Sequence, residues 1–141
     1  MQTQELINTI SDTTLQIKDK EYNIVHNNGD IVEVDEIPIT HEFADQVYLR
    51  QMKMKAGQMI LGAQHKDKHI WFLLSGKVSI KNKDKITTYV GPCYKVSESG
   101  AQRIIYAHKD SVFVNIHKNP NNITDIKKLE TLLVYINRKK T

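Results

Sequence analysis

The 141 residues, 40% hydrophobic and 26% charged, make up about one domain and exclude a disordered chain, and no apolar run nears the roughly 20 residues of a membrane span. Twenty Lys+Arg against 16 Asp+Glu leave a net charge of +4, but the lysines from Lys53 to Lys85 are scattered among polar and acidic neighbours. Only Arg138-Lys139-Lys140 is compact, so a nucleic-acid partner is not expected. Cys93 stands alone, which excludes an internal disulfide framework and a thiolate zinc cluster. The opening MQTQELINTI lacks the order of a secretory signal, and a cytoplasmic location is the expectation.

Leu6, Ile7, Ile10, Leu15 and Ile17 suit a short amphipathic helix within a segment spanning 1–20. Over 21–36, Asn28-Gly29 lies between two alternating runs, the chemistry of a tight β-hairpin turn. Pro38 opens a further segment, where Val47, Leu49 and Met52 point to an extended strand ending near Gly57. From there the runs QMILGAQ, HIWFLLSG, KVSIKN, ITTYVGP, CYKVSESG, AQRIIYAH and SVFVNIH follow as short strands, with turn signals about every 8–12 residues. That pattern is a mainly β antiparallel sandwich or barrel over 37–118. Asn122 is the expected cap of a final helix over 122–137, with Ile126, Leu129, Leu132, Leu133 and Ile136 as its apolar stripe. The whole chain reads as one domain.

The chemistry concentrates in histidines. His65 and His69 sit at even spacing, so on a bent strand both imidazoles can face one side, and neutral imidazole ligates divalent metals. Two ligands fall short of the three that a stable metal site needs; His41 and His117, at strand ends, are the candidates to complete it. Trp71 is open between core packing and a wall of the ligand pocket. Cys93 reads as a small core residue, with no base beside it to make a nucleophile.

Gly57, His65, His69 and Gly76 have the spacing of the first cupin motif, and Gly100 and Arg103 that of the second, so this part of the chain resembles the cupin superfamily. In that frame His65 keeps a histidine ligand position and His69 replaces the glutamate. Ala63 and Arg103 stand where two further ligands would be, with Glu98 in a proline position and Ala107 in an asparagine position. A longer likeness runs from Pro38 to the final helix, through HEFADQVYLR, AGQMILGAQHKDKH, LSG and SGAQRIIYAHKDSVFVNIH. These runs resemble small cupin-like proteins encoded by tailed phages and prophages, sharing His41, Phe43, Tyr48, Arg50, His65, Lys66, His69, Gly76, Gly100, Arg103, Tyr106, Asp110 and His117. The hairpin over 21–36 is an addition to that pattern.

The resemblance implies a single cupin-type antiparallel jelly-roll barrel with a short N-terminal and a C-terminal helix, whose mouth holds Arg103 near His65 and His69. A guanidinium there favours a small anion, gripped through its two-pronged donor geometry. Ligand-binding residues are then Arg103, His65, His69, Tyr106 and Trp71; a divalent ion (Zn, Fe, Mn or Ni) would use His65, His69, His41 and His117. Whether such a protein is an enzyme stays open. If the strand that carries them is regular, Arg103 and Tyr106 face opposite sides. In the competing reading Arg103 closes the barrel by pairing with Asp67, Glu98 or Asp110. At the level of function, the alternative is a non-catalytic virion component or host-interaction protein, working in the virion rather than the host cytoplasm. An edge strand and an apolar helix invite a homodimer.

Overall fold

A computed structural model describes residues 25–27, 30–32, 37–62, 64–83 and 85–135. The expected helix over 1–20 lies outside the described residues. Thirteen strands and one helix are present among them: β1 (Val25–Asn27), β2 (Asp30–Val32), β3 (Ile39–Ala44), β4 (Val47–Met54), β5 (Gln58–Leu61), β6 (Gln64–His65), β7 (His69–Ser75), β8 (Lys77–Asn82), β9 (Lys85–Val90), β10 (Cys93–Ser97), β11 (Arg103–Ala107), β12 (Ser111–Lys118), α1 (Ile126–Leu133) and β13 (Val134–Tyr135).

A six-stranded sheet runs β2-β1-β5-β11-β8-β9 and a five-stranded sheet β10-β7-β12-β4-β3; β13 and β6 pair separately. Every pairing is antiparallel. β1 and β2, on either side of Asn28-Gly29, pair with each other, and β1 then extends the first sheet by pairing with β5. Strict alternation decides what lies between the sheets. On β7, Trp71 and Leu73 point inward while Ile70 and Leu74 are exposed; on β12, Phe113, Asn115 and His117 share the inner face. The main core joins Ile37, Met52, Met54, Ile60, Trp71, Leu73, Val78, Ile80, Ile105, Ala107 and Phe113, with Cys93 packed at its margin. The outer side of β7 and its edge neighbour β10 leaves Ile70, Leu74, Tyr94 and Val96 exposed.

The expected strand through Val47, Leu49 and Met52 is β4; before it the chain forms β3, which folds back onto β4 at Asp45-Gln46 with Gln46 at φ 62°. No glycine marks this turn; instead the Asn122 side-chain oxygen accepts from the Gln46 backbone N–H at 2.7 Å, a contact invisible to local sequence. The final helix is shorter than 122–137. Asp125, not Asn122, caps it, accepting from the backbone N–H groups of Lys127 (3.1 Å) and Lys128 (3.4 Å). It ends at Leu133 because Val134 and Tyr135 turn extended to pair with Gln64 and His65, so a sheet partner overrides the helical stripe. Leu129 and Leu133 pack on Tyr48, while Leu132 is exposed and Ile136 lies outside the described residues.

Gly76 turns the chain between β7 and β8 at φ +96°, where a Cβ would strike the Asp110 carbonyl oxygen and the Cα and Oγ of Ser111. Both the left-handed backbone and the contact oppose a side chain. Gly76→Ala is expected to lower unfolding free energy by about 2–3 kcal/mol, measured by chemical denaturation.

Candidate functional site

One end of the space between the sheets is lined by polar groups rather than hydrocarbon. β7 supplies His69, β12 supplies Asn115 and His117, β11 supplies Arg103, and β6 brings His65 from the other side. Register explains the grouping. Arg50 on β4 lies directly opposite Asn115 and beside His41 of β3, while Tyr48 lies opposite His117, so these residues stand in adjacent rows of one sheet face. His65 is held by its backbone. Its N–H donates to the Ala101 carbonyl (2.9 Å), its carbonyl accepts from Gly100 (2.7 Å), and β13 pairs along its other edge. Gly100, at φ +82°, makes the turn that allows this approach.

His65, His69 and His117 each present a ring nitrogen, and these nitrogens lie within 4.8 Å of one another. The ring centroids are 4.3 Å apart for His65–His69, 4.6 Å for His69–His117 and 5.4 Å for His65–His117. Arg103 stands against this cluster. It is 5% exposed, its Cζ lies 5.6 Å from the Phe113 ring, and its Nη2 donates to Asn115 Oδ1 at 3.0 Å. The same oxygen lies 3.0 Å from His69 Nε2. A guanidinium can only donate, so the carbonyl side of Asn115 must face it, and His69 Nε2 carries a proton here. Arg103 Nη2 also approaches His65 Nε2 at 3.4 Å, which leaves that nitrogen unprotonated and puts the His65 proton on Nδ1. His65 Nδ1 and Arg103 Nη1 are buried with no partner among the described residues. Two buried donors without acceptors among the described residues are costly.

Electrostatics favours neutral imidazoles. Burial, then the charge of Arg103, pushes His65 far below its ordinary value, and burial with its neighbours His69, Arg103 and Arg50 brings His117 down to about 3. His69 is lowered too, by burial and Arg103, against the opposing hydrogen bond to Asn115. Arg103 is lowered by burial to about 10 and stays cationic at neutral pH.

Of the residues expected from sequence to serve the site, His65, His69, His117 and Arg103 converge. His41 does not: its Nδ1 is 2.6 Å from the Tyr48 hydroxyl, and the Tyr48 ring stands between it and His117. Tyr106 lies on the opposite face of β11, packed with Met59 and Ile104 and edge-on to His108. Trp71 is core: it stacks on Phe113 at 5.0 Å and lies across from Asn115 in the pairing of β7 with β12. The three carboxylates weighed as closures for Arg103 are engaged elsewhere, Asp67 with Lys118 (3.6 Å), Glu98 with Lys68 (3.7 Å) and Asp110 with the Ala56 N–H (3.0 Å). Sequence reasoning missed Asn115, and gave Arg50 no role; the hint for both was their even offset from His117 and Tyr48 on the same strands.

No family model matches the chain, and no curated protein matches it by sequence. Solved structures match the architecture. A cupin superfamily protein of Desulfitobacterium hafniense aligns with TM-score 0.53 at 12% identity, over 58% of this chain and 76% of that one. An acetylacetone dioxygenase of Acinetobacter johnsonii gives 0.53 at 16% identity, over 67% and 62%. A conserved double-stranded β-helix protein of Klebsiella pneumoniae gives 0.53 at 15%, over 66% and 92%. The chain therefore has the cupin-like fold. No helix of the described residues is long and apolar enough to cross a membrane.

Because His117 titrates near 3 when folded and at its ordinary 6.5 when unfolded, the unfolded chain takes up protons first as pH falls. Stability of chelator-treated protein should hold above pH 6.5 and then decline, with a slope approaching about 1.4 kcal/mol per pH unit from this residue alone. Denaturant titrations between pH 7.5 and 4 measure it; His117→Gln should flatten the decline.

Proposed function

We propose that the protein binds a divalent metal ion through His65, His69 and His117, and that Arg103 and Asn115 beside it receive a small anionic molecule. The observation that carries this reading is the convergence of three imidazoles whose surroundings keep them neutral, the state a metal requires. The donor set suits zinc, iron, manganese or nickel. His69 is prepared for the change: once its proton moves from Nε2 to Nδ1, the Asp67 carbonyl oxygen, 3.4 Å away, accepts it and Nε2 is free to ligate. Bound there, the metal would supply Lewis-acid polarisation of an oxygen ligand.

Arg103 gives the site its direction. A cation beside a metal repels it unless an anion lies between them, so the guanidinium favours the metal together with an anionic ligand over the bare ion. Its orphaned Nη1 is a donor for such a ligand. The likeness to phage-encoded cupins supports a role in the host cytoplasm.

Elemental analysis and metal titration of chelator-treated, reloaded protein at pH 7.5 test the reading. About one ion per chain is expected, with affinity at least about a hundredfold weaker in His65→Ala and His117→Ala, while His41→Ala stays within about tenfold of the original. A chain that retains no zinc, iron, manganese or nickel would refute it.

A further inference from the structure

Arg103 is not the only cation on this inner face. Arg50 lies directly across from Asn115, the residue that holds Arg103, and shares the face with His117 and Tyr48. Among the described residues it makes no ion pair and no hydrogen bond. The one acid that acts on it, Glu130, sits exposed on α1, and burial lowers the guanidinium from its ordinary value. The groups around the two arginines are His41, His65, His69, His117, Asn115 and Tyr48, none of them anionic at neutral pH. Among the described residues Glu130 is thus the one carboxylate that acts on Arg50, without forming an ion pair with it, and none acts on Arg103. Arg103 is buried and Arg50 partly so, and burying charge without a counter-charge is expensive. One carboxylate could occupy the free Nη1 of Arg103, but it would leave Arg50 unmatched.

We propose that the ligand is a small doubly charged anion, a dicarboxylate or a phosphate monoester, held between Arg103 and Arg50 across Asn115. This deepens the function proposed above and rests on it for the ligand's place beside the histidines. Arg50 then acts as the specificity residue, separating dianions from monoanions. Both guanidinia present planar forks suited to carboxylate or phosphoryl oxygens.

The test is isothermal titration of the full chain, first chelator-treated and then metal-loaded, with malonate, inorganic phosphate and acetate. Malonate or phosphate should bind at least roughly tenfold tighter than acetate, about 1.4 kcal/mol. The tighter of the two identifies a dicarboxylate or a phosphoryl ligand. Arg50→Gln should bring the preferred dianion to within a few-fold of acetate, and Arg50→Lys should keep the preference in part. Equal binding of acetate and both dianions overturns the proposal, as does an unchanged preference in Arg50→Gln. The first of these needs no variant to fold. Dianion preference in protein that holds no metal would remove the metal reading alone; metal binding with no anion preference would remove this inference alone.

Discussion

Asn115 offers one carbonyl oxygen, and two buried donors, Arg103 Nη2 and His69 Nε2, each reach it at 3.0 Å. This shared acceptor sets the orientation of everything around it. It fixes the amide, and through the amide the His69 tautomer; with the stacking on Phe113 it also holds a guanidinium that has no carboxylate partner among the described residues. Burial, and then that unbalanced charge, keep the neighbouring imidazoles neutral. A hydrocarbon filling would have been simpler to pack, and a carboxylate in place of Asn115 would have cancelled the field. The amide does neither, satisfying part of the donor set while preserving the positive potential.

The barrel was legible from the sequence because its strands alternate: HIWFLLS and SVFVNIH each put one set of side chains inward, and pleat alone says which. The same parity placed Arg103 and Tyr106 on opposite faces, and the structure puts Tyr106 away from the histidines. Legibility stopped where register across distant strands took over. His41 and His117 look equivalent as strand-end histidines, yet Tyr48, paired with His117, occupies the space His41 would need. Arg50 and Asn115 are 65 positions apart, and only the β4–β12 pairing makes them neighbours. The early end of α1 belongs to the same class, since it depends on a strand pair formed with residues near position 65.

The departures from the cupin pattern acquire a physical sense from this geometry. Arg103 occupies a position where a ligand would stand in the motif, and so removes one donor from the site. His117, from β12 in the other sheet, brings an imidazole to the same space. The cluster thus sets three imidazoles beside a guanidinium. A fold shared with distant cupins at identities of 12–16% therefore says little about the anion or reaction served, because the electrostatics come from side chains that the fold leaves free.

The pairing of β6 with β13 has a thermodynamic consequence. His65 lies on a strand only two residues long, whose outer edge is completed by Val134 and Tyr135, and Leu133 accepts from the Lys66 N–H at 2.9 Å. The segment following the helix is thus part of the scaffold for one imidazole. Occupancy of the histidine cluster and attachment of that segment must reinforce each other, by the reciprocity that binds any two linked equilibria. A change that loosens Leu129 or Leu133 from Tyr48 would be felt by a ligand that touches neither.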